Sequence, residues 1–345
     1  MLDLAREFAR LGHEVEFALM QAIGDFLPDA QRDFRVIDLS TPKTRSVVGP
    51  LAKYIHRRKP DAVIANMWPL TSASVVARAM SRHRCKLLLV EHNTLSRQYA
   101  SWGRLHAFKM ALSMAATYRF ADRVAAVSRG SAIDTARLTR LPAHRVAVLH
   151  NPIPQKPMPS LEARAVVDAS WDCPQGQRIL TVGSLKEQKN HPLLLRSFAA
   201  MARPDARLMI LGQGENEAML RSLAAKLGIK DRVIFAGFHR DPSTFYATAD
   251  LFVLSSDYEG LPTVLIEALS FGLPIVSTDC PSGPAEILEG GRHGRLVPVG
   301  DAQLLTAAMD ETLSASVDTT AQKRRAADFA PEIAARRYLD LLGLT

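Results

Sequence analysis

The stretch that decides the fold runs from residue 251 to residue 277: Leu251-Phe252-Val253-Leu254, then Ser255-Ser256-Asp257-Tyr258-Glu259-Gly260-Leu261-Pro262-Thr263, then Val264-Leu265-Ile266-Glu267-Ala268-Leu269, then Gly272-Leu273-Pro274 and Ile275-Val276-Ser277. Four consecutive apolar residues before a loop with glycine and proline describe a strand with no wet face, as in a parallel sheet covered on both sides. Pro262 suits the first turn of a helix, where its missing N–H costs nothing. The residues after it predict that helix, and a second short apolar run follows at Ile275. Strand, loop, helix and strand make the repeating unit of an α/β sheet.

The same alternation extends in both directions. Val15–Leu19, Phe34–Leu39, Ala62–Ala65, Lys86–Glu91, Arg123–Val127 and Arg145–Leu149 predict strands, with helices over Val47–Arg58, Thr71–Arg82 and Arg104–Arg119. A second series occupies Ile179–Val182, Leu208–Leu211, Val233–Ala236, Leu251–Leu254 and Ile275–Ser277. Between the two, Asn151–Pro159 carries Pro152, Pro154, Pro157 and Pro159, which resist helix and central strand alike. The expected organisation is a parallel-sheet domain over 1–150, a linker over 151–160, a second domain over 161–330 and a C-terminal helix within 331–345. Two such domains on a hinge make a cleft, and ligands of open α/β sheets bind beyond the carboxyl ends of the strands.

Bulk properties narrow the classes. At 345 residues the chain exceeds what one core usually serves. Its 47% hydrophobic and 23% charged residues describe an ordinary folded protein. Cys85, Cys173 and Cys280 show neither a disulfide framework nor metal-ligand spacing, which fits a reducing cytoplasm. A formal charge of +8 favours an anionic partner. Aromatics are only 6% and are not interleaved with basic residues, which disfavours nucleic acid.

The chemistry sits in the strand-end loops. Gly260 permits close backbone approach, and amides at the start of the following helix can bind a phosphate oxygen. Glu259 and Glu267 could grip hydroxyls through charge-assisted bonds; taken singly, each reads equally as a solvated or surface-paired carboxylate. Thr181-Val182-Gly183-Ser184-Leu185-Lys186-Glu187-Gln188-Lys189-Asn190-His191 follows the first strand of the second series. A lysine held there can neutralise a leaving diphosphate, though a lone loop lysine is more often merely solvated. Gly212-Gln213-Gly214 permits a tight turn near a ligand, and Ala236-Gly237-Phe238 ends another strand; Phe238 could equally be core. Glu91-His92-Asn93 ends a strand of the first series, where a histidine is usually structural. Ser128 reads most simply as a helix cap.

Glu259-Gly-Leu-Pro-Thr-Val-Leu-Ile-Glu267, its continuation through Val276, and Thr278–Leu288 resemble the signature of the large retaining glycosyltransferase family with the Glu-x7-Glu motif, group 1 of the family-four type. The resemblance extends over nearly the whole chain. It implies a GT-B fold, two Rossmann-like domains facing a cleft, with the nucleotide sugar on the second domain. It also implies that Glu259 contacts the donor sugar and Glu267 the ribose, while Gly260, Leu261, Pro262 and Thr263 face sugar and diphosphate. Lys189 matches the phosphate-binding lysine, with Gly183, Ser184, Gly212, Gly214, Gly237 and Phe238 on the nucleotide side. His92 matches a hydrogen-bonding contact to the sugar rather than a general base. The family frequently has arginine where this chain has Ser184, so phosphate binding rests on Lys189, with Lys186 as a candidate helper.

The front departs from the family. Leu4, Ala5, Phe8 and Leu11 recur at helical spacing, so the chain opens inside a helix, without the first strand and glycine-rich loop of its relatives. Exposed strand edges and weak stability or activity are the expectation. Arg97–Arg119 mixes Arg97, Arg104, His106, Lys109 and Arg119 with Trp102, Leu105, Phe108, Met110, Leu112 and Met114. It reads either as a core helix with a solvated basic face or as a surface for an anionic membrane. The expected activity is metal-free transfer of a hexose or N-acetylhexosamine from a UDP-sugar, as co-substrate, to a glycan or lipid-linked acceptor, with retention. The expected location is the cytoplasm, or the inner face of its membrane. A non-catalytic scaffold and a GT-B sugar-nucleotide epimerase are the rival readings.

Overall fold

The structure is a computed structural model describing residues 1–173, 177–316 and 318–344. The chain forms two compact units, Met1–Pro152 together with 331–345, and Ile153–Ala330. The C-terminal helix Pro331–Leu342 therefore belongs with the first unit. It lies against the opening helix Leu2–Arg10, where Phe8 and Tyr338 meet edge to face with ring centroids 6.3 Å apart. Asn151–Pro159 contains neither helix nor strand, and Ile153 N–H already donates to the Phe329 carbonyl.

In the first unit, β1 (Glu16–Leu19) and β2 (Arg35–Asp38) pair, among the described residues, only with each other. β3 (Ala62–Asn66), β4 (Lys86–Glu91), β5 (Arg123–Ala126) and β6 (Val146–Val148) form a separate parallel sheet in that order. Leu87–Val90 of β4 are fully buried, whereas β1 is half-buried along its length. Lys86–Glu91 has no polar alternation because both faces of β4 are covered.

The second unit is one six-stranded parallel sheet. Its strands are β7 (Arg178–Val182), β8 (Arg207–Leu211), β9 (Val233–Gly237), β10 (Leu251–Leu254), β11 (Ile275–Thr278) and β12 (Arg295–Val297). Their spatial order is β12-β11-β10-β7-β8-β9. The core runs through Ile179, Leu208, Ile210, Leu251, Val253 and Val276, with Phe198 packed on it. The edge strand β12 escaped the sequence pattern: after Arg295 it offers only Leu296 and Val297 as an apolar run.

The strand order positions the site. From β7 the chain builds outward to β9, then returns to the other side of β7 as β10. The loops after β7 and β10 thus leave neighbouring strands on opposite courses. This is the switch point where open α/β sheets bind ligands.

Candidate functional site

Lys189 ends a short 3-10 turn after β7, and Glu259 lies in the loop after β10. Though 70 positions apart, they form an ion pair, Lys189 Nζ to Glu259 Oε1 at 2.6 Å, with side chains 17% and 8% exposed. The same carboxylate accepts from Ser256 Oγ (2.7 Å) and Gln188 Nε2 (3.3 Å), and Gln188 also donates to the Tyr258 carbonyl (2.9 Å). The two loops are further tied by Asp257 N–H to the Gln188 carbonyl, Asn190 Nδ2 to Asp257 Oδ1, and Ser255 Oγ to the Lys189 carbonyl. A nearly dry carboxylate is tolerable here because an ammonium and two neutral donors replace its water.

The backbone around this pair is close-packed. Gly212 has φ +145°, and a Cβ there would stand 1.9 Å from the Gly183 oxygen. At Gly214 a Cβ would meet the Leu185 oxygen at 2.6 Å. Both glycines are thus required for the loops after β7 and β8 to lie against one another. Gly237 has φ +77° with open space around it. Glu259 N–H donates to the Pro281 carbonyl and Ser282 N–H returns to the Glu259 carbonyl, which joins the loop after β11 to the cluster.

The helix over Thr263–Phe271 follows directly and starts with no side-chain cap. Pro262 occupies the position before its first residue, and Gly260 and Leu261 are buried beneath it. Glu267 lies farther along the same helix. It is half-buried, hydrogen-bonded with Tyr246 and close to Lys156 and Asp241, and desolvation raises its carboxyl above the usual range. Lys156 and Asp241 pair at 2.7 Å. Ser184 and Lys186 are exposed, and Phe238 is 49% exposed, which removes the core reading of that ring.

His92 belongs to the first unit, just past β4. Its Nε2 lies 2.9 Å from Asn66 Oδ1, and it is also hydrogen-bonded with Asn151. Burial lowers its pKa to about 4, so the ring is neutral near pH 7 and offers one donor and one acceptor. Glu91, before it, is fully buried. It accepts from Trp68 N–H (3.1 Å), Thr71 Oγ1 (3.1 Å) and the Tyr118 hydroxyl, and desolvation pushes it up to about 7. Ser128 caps the helix Arg129–Thr139 by accepting from Ser131 N–H.

Sequence reasoning missed Ser256, Gln188, Tyr246 and Glu91. Gln188 directly precedes Lys189 and Ser256 stands three residues before Glu259, so proximity to the motifs was the one available signal.

The two units, their parallel sheets and the motif loops at the strand ends define a GT-B fold. HepE of Anabaena, solved with UDP-glucose, superposes with a TM-score of 0.85 at 20% identity, over 100% of this chain and 94% of that one. Residues 1–156 match the family described as Glycosyltransferase Family 4, and residues 174–329 match Glycosyl transferases group 1. The chain belongs to the group 1, family-four glycosyltransferases.

Among curated relatives, the amylovoran biosynthesis glycosyltransferase AmsD of Erwinia amylovora is 27% identical over 296 residues, 84% of this chain and 80% of that protein. An N-acetylgalactosamine-N,N'-diacetylbacillosaminyl-diphospho-undecaprenol 4-alpha-N-acetylgalactosaminyltransferase of Campylobacter jejuni is 29% identical over 231 residues, 66% of this chain and 61% of that protein. In several others the match spans about half of the relative's length or less.

Proposed function

We propose that this chain transfers a hexose or N-acetylhexosamine from a nucleotide diphosphate sugar, a UDP-sugar before others, to an acceptor hydroxyl with retention of configuration. The observation that carries this reading is the Lys189–Glu259 ion pair at the switch point of the second unit. As a glycosidic bond to a diphosphate breaks, negative charge grows on the departing oxygen, and a positioned ammonium stabilises it. Donor phosphates compete for Lys189, and Glu259, released from the cation, accepts from a sugar hydroxyl. The uncapped start of the helix at Thr263 adds amides suited to the diphosphate. Glu267, beside Tyr246, takes the ribose hydroxyls, and the neutral His92 donates to or accepts from the transferred sugar.

Lys189 and the helix amides supply the charge stabilisation, so the reaction proceeds without metal. The acceptor is a surface-polysaccharide or lipopolysaccharide precursor carried on a lipid diphosphate, met at the cytoplasmic side of a membrane. The polysaccharide and undecaprenol-linked names of its relatives support that acceptor class.

The test is a thermal-shift screen of UDP-, GDP- and ADP-sugars, followed by nucleotide release with and without EDTA. One UDP-sugar should stabilise the protein and release UDP at a rate EDTA changes by less than about twofold, since loss of a required metal contact costs several kcal/mol. No stabilisation by any nucleotide sugar sinks the proposal, and EDTA-sensitive turnover sinks its metal-free part. Retention is read from the anomeric proton coupling of the first product formed.

A further inference from the structure

We infer that the helix Arg104–Thr117 and the turns flanking it form a docking surface for an anionic lipid bilayer. The inference names the surface on which the proposed lipid-linked acceptor would be met, yet it is measurable with neither donor nor acceptor.

The helix has two apolar faces. Met110 and Met114 are buried with Leu87, Leu89 and Val124 in the first unit's core. On the opposite face Leu105, Phe108 and Leu112 are 58–67% exposed, and Trp102 and Phe120 are comparably exposed just before and after the helix. At 3.6 residues per turn the three helical side chains fall within about 60° of arc, a continuous stripe rather than scattered residues. A surface helix ordinarily keeps its apolar residues on the side that meets the core, and this one carries an apolar stripe on its solvent side as well. The helix is thus a core helix whose exposed face is apolar as well as basic.

Charge identifies the occupant. Arg97, Arg104, Lys109 and Arg119 are all exposed, and no Asp or Glu occurs between Glu91 and Asp122. A segment that joins an exposed apolar stripe to four exposed cations and carries no carboxylate matches the acyl–headgroup boundary of an anionic bilayer. A second copy of this chain would bring the same four cations against these. Trp102 belongs to an aromatic cluster, edge to face with Tyr99 (5.1 Å) and tilted against His106 (4.6 Å), and Trp68 continues it edge to face at 5.4 Å from Tyr99. An indole at the edge of the stripe suits the interfacial depth that tryptophan favours.

Co-sedimentation of the full chain with vesicles tests this. Binding should be firm to equal parts phosphatidylglycerol and phosphatidylcholine, and weak to phosphatidylcholine alone. Leu105→Asp with Phe108→Asp should weaken it at least tenfold. Arg104→Gln with Lys109→Gln should weaken it roughly twenty- to thirtyfold, about fivefold per cation. All four side chains are exposed, so both variants should keep the parent's thermal unfolding. Vesicle binding untouched by both variants overturns the proposal. So does a self-associated parent that binds no vesicle and becomes monomeric in the Leu105/Phe108 variant. Because no nucleotide sugar is present, failure here leaves the donor reading standing, and failure of the donor reading leaves this result standing.

Discussion

Each unit holds a glutamate at a strand end, and the two are kept in opposite ways. Glu259, past β10, is paired with Lys189 and further held by Ser256 and Gln188. Glu91, the last residue of β4, is deeper still, and among the described residues its hydrogen-bond partners are neutral: Trp68 N–H, Thr71 and Tyr118. Desolvation penalises the charged form of any carboxylate. At Glu91 neutral donors oppose that penalty only in part, and the group rises to about 7. On the function proposed above, a carboxylate paired with a cation exchanges that partner for a ligand. A carboxyl enclosed by a backbone amide and two hydroxyls is built to hold the chain around Trp68 and Thr71 in place.

The largest expected effect separates the two by rate. Lys189→Ala and Glu259→Ala should each lower donor turnover by roughly 10²–10³, the usual loss for one transition-state contact. Glu91→Gln should stay within about threefold of the parent. Lys189→Ala also strands a buried carboxylate, at a cost of about 3–5 kcal/mol of stability. The double variant with Glu259→Ala should regain much of that stability and none of the activity. Turnover and chemical denaturation of the parent and the four variants decide it; equal loss of rate in Glu91→Gln and Glu259→Ala would erase the distinction.

The next effect separates them by pH. The Glu91 carboxyl is raised from 4.5 to about 7, so between those values the folded protein binds a proton that the unfolded chain has lost. Its contribution is full below about pH 4.5 and disappears as pH rises through 7, up to about 3 kcal/mol in all. His92 and His191, both lowered to about 4 by burial, work the other way, losing stability as pH falls from 6.5. The parent's own profile therefore mixes opposing trends, and the informative quantity is parent minus Glu91→Gln. That difference should fall across pH 4.5–7; a flat difference would show that Glu91 keeps an ordinary acidity.

These contrasts also mark what the sequence could disclose. Local order was legible: Leu251–Leu254 and the loop and helix after it follow from apolar runs, Gly260 and Pro262. The likeness of that segment to a known signature marked Glu259 and Glu267, and that of Thr181–His191 marked Lys189. Their contacts were not legible. Lys189 meets Glu259 only because β10 lies beside β7, and strand order is not written in any short segment. Glu267 instead meets Tyr246 from another helix. Glu91 read as an ordinary strand residue, because a strand covered on both faces lacks the alternation that tells inside from outside. Leu105, Phe108 and Leu112 failed for the same reason in helical form: with both faces apolar, periodicity could not say which one was buried.

The smallest effects come from the hydroxyls, and they test whether each glutamate's surroundings serve rate or stability. Ser256 Oγ is buried and shares Glu259 Oε1 with the lysine, so it fixes where that oxygen points. Ser256→Ala should lower kcat about tenfold, or 1.4 kcal/mol, with KM little changed, and Ser256→Thr should restore part of it. Thr71→Val removes a hydroxyl of the same kind from Glu91 and Tyr118. It should cost about 1 kcal/mol of stability, the net value of an ordinary hydrogen bond, and leave kcat unchanged. If Ser256→Ala moves only the melting temperature, Glu259 is clamped as Glu91 is, and the lysine beside it neutralises a structural charge.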